Sequence, residues 1–262
     1  MISRKELKAL SKEQLRGQWT TVVLITLIFG VINFIDYKLT ASFESSFLIS
    51  IFSYLLAVVM GIFSNSLYLK LTRGVKVKFT DMFVSGSTFL KAIGITLLQA
   101  LIMIPAVIIS IIIGSFVFIA GAAGIGITEN FIIPSNVESF VSSVNSAYFF
   151  KFFLVILLIV LIISIPIMIL GFYLYPSLIL ICEDDTRGVG ECIGTSFRLM
   201  HGNLWKYIVL QLSYIGWILA GILTLGIGYL WLFPYINTVN MNFFNQLVGY
   251  GSIEGNPEQL LY

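Results

Sequence analysis

The chain has 262 residues, of which 58% are hydrophobic and 11% charged, and a formal net charge of +2. Soluble domains carry roughly 25% charged residues, so this composition, with a mean hydropathy of +0.98, excludes a soluble globular fold and points to one integral membrane domain over residues 1–262. Nucleic-acid binding is excluded with it, because no soluble basic domain is present to host it.

In chain order, the first expected element is a helix over the opening residues. On a helical wheel Leu7, Leu10, Ser11, Gln14 and Leu15 share one side, with Lys5, Lys12, Glu13 and Arg16 opposite. Ser3, followed three residues on by Glu6, has the spacing of a capping box. The pattern predicts an amphipathic helix on the membrane surface, anchored at headgroup level by Arg16 and Trp19. Six apolar runs follow, at residues 19–35, 47–69, 92–118, 152–181, 207–223 and 226–247. About 20 residues cross a bilayer, so the third and fourth are long enough to tilt, kink or project, with Pro105, Pro166 and Pro176 as kink points. Only a Gly226/Gly228 turn divides the last two.

Lysines and arginines set the expected orientation. Thirteen of the 15 lie before span one, between spans two and three, or between spans four and five; Lys38 and Lys151 are the exceptions. The positive-inside rule then places both termini in the cytoplasm. Basic and then apolar, the leading segment resembles a signal peptide, but no small-residue cleavage pattern follows and five more spans do, so an uncleaved first helix is expected. Cys182 and Cys192 fall on the cytoplasmic side, where no disulfide is expected.

The segment before span five repeats the opening design. Val189, Ile193, Phe197, Met200 and Leu204 fall within an arc of about 80°, with Glu191 and Arg198 facing away. Gly202 is the expected hinge out of this helix, with Trp205 and Lys206 anchoring span five as Lys91 anchors span three. "TRGV" occurs at residues 72–75 and again at 186–189, "GFYLYPSLI" from Gly171 is similar to "GYLWLFPYI" from Gly228, and "RGQW" before span one echoes "HGNLW" before span five more weakly. The expected fold is therefore all-α: six transmembrane helices as three hairpin repeats, each preceded by a cytoplasmic amphipathic segment.

The chain's one histidine, His201, lies in that hinge, a wet position that suits an amphipathic ring. A metal site built from Cys182, Asp184 or Asp185, Cys192 and His201 is the rival. Cys192 and His201 are nine residues apart, about 180° around a continuous helix, which separates them. In the acidic run, Asp184 or Asp185 is placed to cap the second surface helix. That loop is net −1 and the loop before span three net +4, so the two could dock together or offer a partner-binding patch.

Between their interfacial ends the spans carry no Asp, Glu, Lys, Arg or His, which disfavours ion-coupled transport. Their polar residues are neutral: Asn33, Asn65, Gln99, Gln211, Ser213, Asn237, Asn240, Asn242 and Asn245. Such amides bond helix to helix, and Asn237, Asn240 and Gln211 are also candidates to line a cavity for a ligand or lipid headgroup. No zincin helix, nucleophile elbow or phosphate-binding loop occurs, so neither an enzyme nor a cofactor is expected.

A resemblance adds to this reading. Leu199-Met200 with Gly202, Trp205-Lys206, "LSYIGW" at 212–217, "LTLGIG" at 223–228, Leu230-Trp231 and Pro234-Tyr235 are similar to the carboxy-terminal signature of the integral membrane family filed as domain of unknown function 975. "LKALSKEQLRGQW" is similar to that family's opening. The resemblance implies a Gram-positive-type bacterial source, a cell-membrane location and six spans, and no activity. The leading functional expectation is a non-enzymatic module that meets membrane lipids, or a membrane partner such as a transporter or an envelope-stress component. The alternative is a protein that transports or passes small solutes or lipid through a cavity between the hairpins.

Overall fold

The computed structural model describes residues 3–42, 47–125 and 146–250. Every regular element among them is helical: α1 (Arg4–Leu15), α2 (Trp19–Ser42), α3 (Phe47–Thr72), a 3-10 turn at Phe79–Met82, α4 (Gly86–Ile125), α5 (Ser146–Glu183), α6 (Val189–Met200), α7 (Leu204–Leu212), α8 (Ile215–Leu223) and α9 (Tyr229–Leu247). The first four expected spans lie within α2 to α5. Five helical segments are long and apolar enough to cross a bilayer: Trp19–Ser42, Phe47–Thr72, Gly86–Gly121, Phe153–Glu183 and Leu204–Leu223.

None of the three expected kink prolines ends a helix. Pro105 is inside α4, α5 continues through Pro166 and Pro176, and the interruption comes instead at Ser213-Tyr214, within span five. There the Ser213 hydroxyl donates back to the Leu210 carbonyl and accepts from the Lys8 ammonium, a local bond that competes with helix continuation. The next turn is tight. Leu225 and Gly226 both take positive φ, 53° and 88°, and the Gly226 amide reaches back to the Gly221 carbonyl. A Cβ on Gly221 would stand 2.7 Å from the Tyr229 ring, so only glycine lets α8 and α9 close there.

The residues group into two compact units, Met1–Leu97 with Tyr173–Tyr262, and Leu98–Phe172. In the first, α9 is the central helix, packed against α1, α2, α3 and α8. Leu232, Val239, Met241, Phe243 and Phe244 are buried along it, together with Thr238, Asn240, Asn242 and Asn245. A helix surrounded by protein can carry such amides, because other helices rather than lipid meet them.

The structure corrects the expected setting of α1. Its capping box forms as the spacing predicts, with the Ser3 amide 2.7 Å from the Glu6 carboxylate and the Glu6 amide 3.3 Å from the Ser3 hydroxyl. Most of the face expected on the membrane surface is seated on α9 and α3 instead: Leu7 is 2% exposed, and Ser11 and Leu15 0%, while Leu10 stays 39% exposed. Helix α6 follows suit, with Cys192, Ile193, Ser196 and Met200 buried. Its cap differs from the expectation, for the N-cap is Gly188 and the Glu191 carboxylate accepts from the Gly188 amide. The middle segment, before α4, is no amphipathic helix but a single 3-10 turn.

The second unit is an antiparallel helix pair. Met103 meets Gly171, Gly114 meets Ile163, and Gly121 lies against Val155, where an added Cβ would come within 2.7 Å of a valine methyl. Small residues at these crossings let the two backbones approach.

Candidate functional site: a neutral polar core beneath a charged collar

The polar core joins the two ends of the chain. The Asn242 amide donates to the Ser11 hydroxyl at 2.8 Å and to the Gln14 side-chain oxygen at 2.6 Å. Gln14 donates in turn to the Thr72 carbonyl at 3.0 Å and to the Asn242 oxygen at 3.3 Å. Asn245 donates to the Thr72 hydroxyl at 2.9 Å. Lys8 reaches Ser213 and lies 5.0 Å above the Tyr214 ring; desolvation first, then the charges of Arg4 and Lys12, push its pKa down.

Of the three expected lining residues, the structure pairs two and separates the third. Gln211 donates to the Asn240 oxygen at 2.9 Å. Asn237 instead faces a cavity of about 210 Å³ between α2, α3 and α9, shared with Thr26, Asn33, Ser64 and Tyr68. Ser11, Gln14 and Thr72 were missed as site residues. The available signal was two neutral polar side chains on the apolar side of the opening helix, a placement that a lipid-facing surface disfavours.

The collar is formed where the basic loop before α4 and the acidic loop before α6 meet. Arg73 pairs with Glu183, their side chains only 21% and 16% exposed, while the guanidinium stacks 4.3 Å from the Tyr250 ring. Arg187 adds a second contact to Glu183 at 3.5 Å. Lys91 donates to the Asp185 carbonyl, and Ser85 and Ser87 donate to the Asp185 carboxylate at 3.3 and 3.1 Å. Lys91 is therefore turned to this loop. Asp184, expected as a cap, receives the Thr186 hydroxyl and amide, which hold its carboxyl below the ordinary range, helped by Arg187.

The remaining expected positions lie in two hinges with one geometry. Arg16 ends α1 at φ −65°, ψ 120°, and Gly17 follows at φ 82°; His201 ends α6 at φ −60°, ψ 124°, and Gly202 follows at φ 80°. The Gln18 amide returns to Leu15 and the Asn203 amide to Met200. Residue by residue, Glu6 matches Glu191, and the buried Leu7, Ser11 and Leu15 match Cys192, Ser196 and Met200. The faint "RGQW"/"HGNLW" echo is thus the structurally faithful one. The "TRGV" pair is not, since Thr72 closes a helix whereas Thr186 lies in a turn three residues beyond one. Arg16 and His201 are exposed, Trp19 is half-buried, and Trp205 is 72% exposed; Lys206 lies 3.4 Å from the Asn203 oxygen.

The rival metal set is not brought together. Cys182 donates weakly to the Ile62 carbonyl at 3.9 Å, Cys192 is fully buried in α6, and burial pushes its thiol pKa up. Among the described residues no three His, Cys, Asp or Glu side chains cluster as metal ligands.

Long apolar helices with neutral polar seams and charge gathered in the connecting loops define an all-helical, multi-pass integral membrane protein. The chain belongs to the family described as "Protein of unknown function (DUF975)", whose sequence model matches residues 1–250. No curated protein and no solved structure matches it.

Proposed function

We propose that the chain is a non-enzymatic module of a bacterial cell membrane, acting through contacts with lipid or with a membrane partner such as a transporter or an envelope-stress component. The observation that carries this reading is the repeated cassette: α1 and α6 are each held in the bundle through a buried serine and joined to the following helix by a positive-φ glycine. Such an element can report a change at one end of the bundle through its angle. Apart from Lys8, which donates to Ser213, the side-chain bonds described across the polar core join amides and hydroxyls, which supports a structural and coupling role over acid–base chemistry.

The finer topology belongs to the same proposal: six spans in three hairpins, with both termini cytoplasmic. Helix α9 has 19 residues, about 28 Å at 1.5 Å per residue, close to the ~30 Å hydrocarbon core. Its enclosure by other helices accounts for its lower hydropathy. Reporters fused after Gly126 and at Tyr262, both outside the described residues, are expected to read outside and inside respectively. An outward report at Tyr262 would refute the sixth crossing.

The functional test compares two hinge variants. Gly202 has open space around its Cβ position but a φ of 80°, a region that costs a substituted residue about 1–2 kcal/mol. Gly202→Leu is expected to leave membrane abundance near normal while reducing capture of co-purifying protein severalfold more than Lys206→Gln does. Equal losses, or a loss explained by abundance, would reduce the hinge to scaffolding. A transport reading has one observation in its favour, the largely apolar 210 Å³ cavity on α2, α3 and α9 into which Asn33 and Asn237 bring amides.

A further inference from the structure

We propose that a groove beside α1 binds one anionic phospholipid, with its phosphate against Lys12 and an acyl chain running along α8 and α9. This rests on the lipid-interacting reading above and names its site. The groove measures about 520 Å³, within the ~300–1,000 Å³ typical of ligand sites. Lys12, Trp19, Trp217, Trp231 and Tyr235 line it. Three of the chain's four tryptophans therefore share one groove, although tryptophans that merely mark the bilayer interfaces are distributed around both belts.

The wall selects its occupant by hydrogen-bonding sense. An ammonium and indole N–H groups only donate, and no carboxylate lines the groove. Among the described residues Lys12 has no ion-pair partner. Thr224, also in the wall, is already engaged, donating to the Gly221 carbonyl at 2.8 Å and accepting from the Gly228 amide at 2.9 Å. The complementary molecule has an anionic head rich in acceptor oxygens, ester carbonyls for the indoles, and a long apolar tail for the rest of the wall. Free phosphate would leave that apolar wall unused. Lys12 and Trp19 stand at the end where α1 hands over to α2, so the head lies at the level where the first span begins. The tail runs along Trp217, Ala220 and Trp231.

The test uses the full-length protein in detergent, loaded with phosphatidylglycerol or phosphatidylcholine of matched chains and examined by native mass spectrometry. One retained phosphatidylglycerol is expected, preferred about fivefold over phosphatidylcholine, which corresponds to the ~1 kcal/mol of one basic residue near an anionic headgroup at 1.4 kcal/mol per tenfold. Lys12→Gln should remove most of that preference. Lys5→Gln, exposed on the same helix and outside the groove, should keep it. Ala220→Trp, filling the groove from an exposed wall position, should lower retention of both lipids; Trp217→Ala, at a position 60% exposed, is a second wall variant expected to weaken it. Equal retention of the two lipids by the unmodified protein, the same loss in Lys5→Gln as in Lys12→Gln, or unchanged retention in folded Ala220→Trp and Trp217→Ala would overturn the site. Protein capture in the hinge comparison is read independently, so a failed groove and a failed module reading give different results.

Discussion

Replacing Asn242 with leucine is expected to destabilise the protein by about 2–3 kcal/mol and to free α1. Membrane-helix hydrogen bonds contribute roughly 0.6–1.7 kcal/mol each, and a buried polar group stripped of its partner costs about 1–3 kcal/mol. Asn242 is 4% exposed and donates to both Ser11 and Gln14, so the substitution leaves the side-chain oxygens of two α1 residues without that donor, although Ser11 still donates to the Leu7 carbonyl and Gln14 to the Thr72 carbonyl. The unfolding midpoint in detergent should fall, and α1 should become open to cleavage at its lysines. Polarity, not volume, is at issue, and therefore the triple variant Ser11→Ala, Gln14→Leu, Asn242→Leu should recover more than half of the loss. An Asn242→Leu protein within about 0.5 kcal/mol of the original, a shift typical of substitutions away from special features, with α1 equally protected, would mean that the network does not hold the helix.

In the second unit, Gly121→Ala is expected to cost more than Gly114→Ala, although each adds the same methyl. At Gly121 the new carbon would lie 2.7 and 2.9 Å from the two methyls of Val155, whose branched side chain has little freedom. At Gly114 the nearest atom, 3.0 Å away, is the far end of Ile163, which can rotate aside. Overpacking of the first kind costs about 1–3 kcal/mol. Thermal unfolding of both variants tests the order, and Val155→Ala introduced into Gly121→Ala should restore most of the lost midpoint. If the two glycines prove equivalent, or Val155→Ala gives no rescue, the close approach at Gly121 is not what holds this helix pair together.

Hydropathy located the helices because burial in lipid and burial in protein ask for the same apolar residues. The same equivalence hid which faces meet which. Leu7, Leu15 and Met200 read as a lipid-facing stripe, yet they are covered by neighbouring helices; the distinguishing residues are Ser11 and Ser196, polar and fully buried in the same stripe. The break at Ser213 was missed because a serine in an apolar run is a weaker local signal than proline, and one of its two bonds comes from Lys8, 205 residues away. Charge was more legible: the basic loop before α4 and the acidic loop before α6 do dock, through Arg73, Glu183, Lys91 and Asp185. Gln211 and Asn240 were recognised as polar positions, but only their registers in three dimensions show that they satisfy each other.

The bond between Ser11 and Asn242 joins residues 231 apart in sequence, which fixes an order of events during synthesis. At roughly 5–20 residues per second, α1 leaves the ribosome on the order of tens of seconds before the helix that receives it. During that interval its buried face has no seat, and the adjoining spans must enter the membrane without it. Closure of α1 therefore waits for α9: a product arrested before α9 keeps the buried face of α1 unseated and open to proteolysis.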